Sequence, residues 1–477
     1  MTAPRICTAE QMPGTTAQDA YVPVVVVGGG ACGLTAALML HDADVDCAVL
    51  ERDAAPTGST ALSSGFIPAP GTLVQRAAGI EDSPAQFAAD ITAKAKGRAA
   101  PHLVDAYAQA IGPALDALQA RHGLQWQVLD GFVYPGHSAL RMHATPEKTG
   151  AGLMGRLANA LAAADVPLVL NATVRELWVN AGQRVIGVGY EPPGGAMQYL
   201  SCDAVILASN GFGGNAAMVH ELLPEMRNAL FAGHTGNDGS AIVWGQALEA
   251  RLADLGGYQG HGSWAIPQGA LISWALMMEG GIQVNGLGER FHDETLGYSE
   301  ASVQVLAQPG GVAWNVFDEP VLTLARGFPD FVGAEAAGVV KRCDSVQALA
   351  AVIGCDASKL IATLADTASA GSQKDDIKRM FTRHLQAPFY AIKVTGALFH
   401  TQGGLDIDGQ CRVLDAHGQP FPNLLAAGGA ARGVSGDAVW GYLSGNGLLS
   451  AMAGGYIAAH TAARLIAPSG NFSKSSL

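Results

Sequence analysis

Charge is scarce in this sequence. Asp, Glu, Lys and Arg make up 14% of its 477 residues, against roughly a quarter in an ordinary globular chain. Basic residues are the scarcer kind: 28 Lys and Arg stand against 41 Asp and Glu, a formal charge of −13. A nucleic-acid or anionic-membrane binder needs a basic stripe, so no nucleic-acid partner is expected. Low charge joined to 49% hydrophobic residues excludes a disordered protein, which lacks the apolar surface to fold. The seven cysteines (Cys7, Cys32, Cys47, Cys202, Cys343, Cys355, Cys411) contain no C-x-x-C pair and no histidine at zinc spacing. No metal is expected, and a reduced, cytoplasmic setting fits. Met1 to Ala20 has no continuous apolar core and carries Arg5, Glu10 and Asp19. It reads as neither signal peptide nor twin-arginine leader but as a flexible arm over residues 1–21. Tyr21 to Leu40 approaches the length of a membrane span, but four glycines and a valine run interrupt it, so no span is expected. No repeat of fixed period occurs, which excludes a solenoid.

Glycine, by contrast, is abundant: 61 residues, about twice the usual share, as suits a backbone that must approach something closely. The run Val24 to Val27 is the kind of strand buried in a parallel sheet; helix formers follow from Leu34 to Leu40, and Asp46 to Leu50 reads as a second strand. Between the first strand and the helix stand Gly28, Gly30 and Gly33 in the spacing G-x-G-x-x-G, and Glu51 closes the second strand. That is the dinucleotide fingerprint: Gly28 permits the tight turn, Gly30 lets backbone reach a pyrophosphate at the helix N-terminus, Gly33 lets helix and strand pack, and Glu51 accepts hydrogen bonds from ribose. A long helical region is expected from Pro84 to about Gln119, a strand-like patch near Gln125 to Tyr134, and a helix from Gly150 to Ala164. Strands follow at Val166–Leu170, Thr173–Val179 and Val185–Tyr190, the last two a hairpin turning at Ala181-Gly182, and another at Ala204–Ala208. The fold class is α/β: a Rossmann-like FAD- or NAD-binding domain over residues 22–255 and 396–467, with an inserted α+β capping domain over 256–395. Residues 468–477 form a frayed tail.

The fingerprint alone does not choose between NAD and FAD. The segment from Glu51, Arg52 and Asp53 through Thr57, Gly58, Ser59, Thr60, Ser63, Ser64 and Gly65 resembles the second dinucleotide contact of the flavoproteins related to fumarate reductase and 3-oxosteroid dehydrogenase. The likeness continues at Asn171 to Val174, at Leu207, Ala208, Ser209, Asn210 and Gly211, at Leu424 to Gly428 and Gly429, and at Gly445, Asn446 and Leu448, where a helix opens toward the flavin. The resemblance implies bound FAD. Two departures stand out: Gly429 where the family often has an acid, and Ser59 where covalent members have histidine. The second implies noncovalent FAD.

Gly280-Gly281-Ile282-Gln283-Val284-Asn285 through Glu289-Arg290-Phe291 to Glu294 is similar to the hallmark of the family's substrate-covering domain. The proton-donating arginine of fumarate reductases falls on Tyr298, their preceding acid and arginine on Trp274 and Met277, their substrate histidine on Phe399, and their late arginine on Tyr442. Arginine forks are what a site uses to hold a dicarboxylate, so their loss argues against fumarate. Tyr298, four residues after Glu294, instead matches the tyrosine of 3-oxosteroid dehydrogenases and cyclohexanone-type enzymes. The resemblance thus implies α,β-desaturation of a cyclic ketone, small or steroidal. Tyr442 and the Gly445 N–H would hold the carbonyl oxygen, Tyr298 would remove the α-proton, and hydride would pass to flavin N5. A flavin-dependent enoate or fumarate-type reductase is the alternative. His261 aligns with a substrate-domain histidine and is either a substrate contact or a satisfied core histidine, Trp440 is a reserve candidate for the Tyr442 wall, and Trp264, Trp274, Phe291, Phe317 and Phe389 are pocket lining or core. His400 is expected to point away from Phe399 along a strand; Tyr107 and Tyr134 are core or surface; Arg432 binds an anionic substrate tail or the flavin edge, or lies on the surface. Asp375, Asp376, Lys378 and Arg379 read as a solvated helix face. The electron acceptor is unknown, and the surface neither requires nor excludes a homo-oligomer.

Overall fold

The computed structural model describes residues 3–11, 20–130, 133–366, 377, 379, 381 and 383–467. The chain divides into two compact units: Met1–Asn215, His234–Gly257 and His400–Leu477 in the first, Ala216–Gly233 and Tyr258–Phe399 in the second. Residues 216–233 therefore group with the second unit, although their sequence position put them in the first.

The first unit is built on a six-stranded sheet in the order Arg412–Leu414, Pro420–Ala426, Ala204–Leu207, Val24–Val27, Cys47–Leu50, Leu168–Val169. All neighbours are parallel except the first pair. Val24 to Val27 are all buried: the helices Ala31–Asp42 and Asn446–Ile466 pack on this sheet, and so does the strand Val185–Glu191 of a second, antiparallel sheet, which is why the strand reads as an unbroken β-branched run. The hairpin Thr173–Val179 and Val185–Glu191 forms as expected, turning at Ala181-Gly182, where the Gln183 N–H donates to Asn180 O at 3.0 Å; Gln183, at φ 56°, follows in the left-handed region. Its outer strand accepts an unexpected partner. Arg5–Thr8, read as part of a loose arm, is a strand pairing in parallel with Glu176 to Val179, and the Arg5 guanidinium binds the buried Glu176 carboxylate. The expected long helix is two, Pro84–Lys94 and Pro101–His122. Gly97, at φ 73°, and Pro101, which favours a first-turn position, separate them. Within Gln125 to Tyr134, only Gln127–Val128 is strand among the described residues. No single helix among the described residues is long and apolar enough to cross a membrane, and the seven cysteines are all free.

The second unit is a mixed sheet whose central strand, Phe389–Thr401, lies between Tyr258–Ala265 and Val312–Asp318 and also pairs with Leu230–Phe231 and Lys341–Cys343. Ile282–Val284 completes it against Val312–Asp318. Phe317 stacks on Tyr390 at 5.8 Å in one core cluster and Phe389 packs in another. Both are core residues, one of the two readings open to them. Asp375, Asp376 and Lys378 lie outside the described residues. Arg379 is no solvated charge: it is buried and binds the carboxylate of Glu294 at 3.1 Å.

Candidate active site

The fingerprint folds as its spacing requires. The helix Ala31–Asp42 starts at Gly30, and the Gly28 N–H donates to Leu50 O at 2.9 Å. Gly28 has φ 110°, and a Cβ there would stand 2.5 Å from Ala208 O; one on Gly33 would stand 1.9 Å from Gly28 O. Neither position tolerates a side chain, whereas the Cα of Gly30 faces only Thr60 Oγ1, 3.8 Å from a built Cβ. That opening at a helix N-terminus is what a pyrophosphate needs.

Glu51 is buried and accepts the Gly29 N–H at 2.7 Å and the Asp53 N–H at 2.9 Å. Burial raises its pKa, and those two bonds oppose the rise. Asn171 and Ala172 donate their N–H groups back to Asp53 O and Glu51 O, which brings the strand of Val174 beside the second motif. Thr57 precedes the short helix Gly58–Ala61, its carbonyl accepting the Ala61 N–H at 3.1 Å without a side-chain capping bond. Thr60 Oγ1 accepts the Ala31 N–H at 3.3 Å, and Ser63 Oγ donates to Thr60 O and accepts the Gly65 N–H. Ser64 and Leu448 are half-buried beside these motifs in sequence. Arg52 is turned aside, donating to Gly236 O at 2.8 Å and pairing with Asp238. Ser59 Oγ accepts from Asn237 Nδ2 at 2.8 Å. A serine hydroxyl so engaged offers no ring nitrogen for flavin attachment, so acid precipitation is expected to leave all the FAD in the supernatant; yellow colour in the washed pellet would refute noncovalent binding.

The departure at Gly429 has a steric reason. Asn210, at φ 64°, turns its Oδ1 to the Gly211 N–H at 2.8 Å, and a Cβ on Gly429 would sit 2.2 Å from that oxygen. With Asn210 in this position an acidic side chain at 429 would have to displace it. Gly428, at φ 61°, begins the same turn. The residues present suit FAD. Besides the glycine cradle, Ser209 Oγ and Asn446 Oδ1, both within the assigned motifs, are buried without a hydrogen-bond partner, a costly state that a polar ligand relieves.

The helix Asn446–Ile466 opens at Gly445, φ 86°. The Tyr442 hydroxyl accepts the Gly447 N–H at 3.4 Å, so it stands over the unpaired first turn. His400 sets its ring edge-on to Tyr442 at 5.5 Å. Strand alternation does send it opposite to Phe399, but that side is where Tyr442 lies. Its Nδ1 lies 3.2 Å from Gln402 Nε2 and 3.3 Å from Thr401 O; Gln402 Oε1 accepts from Ser435 Oγ, which accepts from Asn446 Nδ2. Burial pushes the His400 pKa down to about 4, so the ring is neutral. No local motif announces this chain of polar groups. Trp440 instead packs its ring under Lys96 Nζ at 4.4 Å, with Arg98 nearby. Arg432 is held by Asp254 at 2.6 Å and Asp406 at 3.3 Å. Tyr107 is buried in the core and Tyr134 packs edge-on to Phe66.

In the second unit, Tyr298 opens the helix Tyr298–Leu306 and stacks on His261 with centroids 4.8 Å apart. Trp274 meets His261 edge-on at 5.9 Å, Phe399 lies 5.6 Å from it, and Trp264 meets Phe399 at 5.6 Å. Trp274 is fixed by its indole N–H donating to Glu294 O at 2.9 Å. Positions far apart in sequence thus form one aromatic cluster. Phe291 packs on His292 at 4.7 Å.

The fold and these motifs define an FAD-dependent oxidoreductase, and the chain belongs to the FAD binding domain family, whose model matches residues 23–448. It is 28% identical over 463 residues to the NADH:fumarate oxidoreductase of Klebsiella pneumoniae (strain 342), covering 96% of this chain and 49% of that protein. The chain therefore spans about half the length of that relative. It is 26% identical to the 4-oxocyclohexanecarboxylate 2-dehydrogenase of Sinomonas cyclohexanicum, with 92% of each chain covered. Its fold matches the 3-ketosteroid-Δ4-(5α)-dehydrogenase of Rhodococcus jostii RHA1 with a TM-score of 0.75 at 24% identity, covering 96% of this chain and 99% of that one.

Proposed function

We propose that the protein desaturates a cyclic ketone at its α,β-carbons. The observation that carries this reading is the cluster of Tyr298, His261, Trp274 and Phe399: where the resemblance puts the donor arginine, the acid and the substrate histidine of a fumarate reductase, the second unit has a phenol and apolar rings. Tyr298 takes the α-proton. The Tyr442 hydroxyl and the Gly445 N–H, at the positive end of the helix Asn446–Ile466, hold the carbonyl oxygen as it becomes an enolate. When bound, FAD supplies the acceptor for the hydride that leaves the β-carbon. A phenol is costly to ionise at pH 7, about 4 kcal/mol for a pKa near 10. Tyr298 is the first residue of its helix, and a helix N-terminus offsets about 0.3–1 kcal/mol of that. Acidification of the ketone by Tyr442 and Gly445 supplies the rest in this reading.

The second reading is an enoate or fumarate-type reductase, which the 28% identity to an NADH:fumarate oxidoreductase favours. Two assays separate them. Desaturation requires a dye acceptor to be reduced when cyclohexanone, 4-oxocyclohexanecarboxylate or a saturated 3-oxosteroid is supplied, with no oxidation of reduced viologen by fumarate. The converse pattern would establish the reductase.

A further inference from the structure

The aromatic cluster of the second unit also bears on substrate charge. His261 is buried, and its Nδ1 accepts the Ser263 N–H at 3.1 Å. That backbone is pinned: Gln283 Nε2 donates to Gly262 O at 2.8 Å and to Asn315 Oδ1 at 2.8 Å, while His292 bonds Gln283 Oε1. With Nδ1 committed as an acceptor, the proton of the neutral ring is on Nε2. A second proton would have to enter against the Ser263 N–H, among three aromatic rings. Burial alone pushes the His261 pKa down to about 3. Among the described residues of this unit, the largely buried Arg290 and Arg379 are engaged by Glu294 and the half-buried Arg383 by Asp318. A carboxylate brought against Tyr298, Phe399 and Trp264 would meet ring faces and neutral donors, the His261 N–H and the Tyr298 O–H among them, at a helix N-terminus that offsets only a small part of the cost, and a desolvated carboxylate without a cation is strongly disfavoured.

We propose that this cluster, with His261 at its centre, is the specificity determinant of the enzyme and selects uncharged ring ketones over ring ketones that carry a carboxylate. The inference rests on the desaturation reading above. The test compares two substrates of nearly equal shape, 4-oxocyclohexanecarboxamide and 4-oxocyclohexanecarboxylate, with the flavin-loaded full chain at pH 7. The amide is expected to have the higher kcat/KM by at least about tenfold. In Phe399→Arg, which places a cation in the cluster, that ratio should fall by about tenfold or more. A carboxylate used as well as or better than the amide by the unsubstituted protein would overturn the charge selection and leave desaturation standing, and this comparison decides the matter even where Phe399→Arg fails to fold. If neither ketone reduces the flavin while fumarate reoxidises chemically reduced protein, the desaturation reading itself falls.

Discussion

Turnover of a ring ketone by Tyr298→Phe is expected to fall a hundredfold to ten-thousandfold, the range over which a positioned acid or base contributes to rate. The substitution removes one oxygen and keeps the ring that stacks on His261 at 4.8 Å, so the helix Tyr298–Leu306 and its neighbours keep their packing. FAD is assigned to motifs of the first unit, and Tyr298 belongs to the second. The ratio of flavin to protein absorbance should therefore be unchanged while the anaerobic bleaching rate collapses. If Tyr298→Phe keeps more than a tenth of the rate, Tyr298 does not remove the proton. Loss of FAD together with the rate would mean a structural role instead.

The second large effect is on stability. The Glu294 side chain is fully buried and accepts from Arg290 Nε at 3.0 Å, from Arg379 Nη1 at 3.1 Å and from the Gln283 N–H at 3.0 Å. Phe381 faces both guanidinium groups, at 4.8 and 4.5 Å. Removing the carboxylate leaves two largely buried cations facing each other, so Glu294→Ala should destabilise the second unit by about 3–5 kcal/mol, read as a lower urea midpoint. Wild-type behaviour would show that the cluster contributes nothing net. The same group gives a pH dependence. Burial alone would raise the Glu294 pKa, but the hydrogen bond and charge of Arg290, with Arg379, overcome it and hold the carboxyl at about 2, below its usual 4.5. A depressed folded-state pKa gives stability that is fully present above pH 4.5 and is lost as pH falls toward 2. Acid unfolding of wild type should therefore show this loss, and Glu294→Gln should flatten it.

What the sequence reveals depends on how local the cause is. The strand Val24–Val27, the glycine turn and Glu51 are legible because each constraint acts within about one βαβ unit, and Gly445 marks its helix start by needing a positive φ. Arg5–Thr8 is illegible as a strand because its partner lies some 170 residues away, and four residues carry no period of their own. The break between Lys94 and Pro101 was open to reading, since Gly97 and Pro101 are both present, but the apolar pattern runs through it. His400 shows a subtler limit. Alternation correctly sets it opposite to Phe399, yet only the three-dimensional path of residues 435–447 reveals that Tyr442 waits on that side. Arg379 reads as a surface charge until Glu294, 85 positions earlier, is seen to need it. The aromatic cluster lies between these cases: the residue types at Trp274, Tyr298 and Phe399 say that arginine chemistry is missing, but not that these rings meet around a neutral histidine.

The central claim is that a saturated ring ketone leaves as an enone. A single anaerobic turnover tests it most directly: flavin-loaded protein is mixed with excess cyclohexanone, the loss of oxidised flavin absorbance is followed, and the quenched mixture is analysed for product. The account requires one equivalent of cyclohex-2-enone for each flavin reduced. Flavin that stays oxidised with every ring ketone tried, yet is reoxidised by fumarate after chemical reduction, would contradict it and make the protein a reductase.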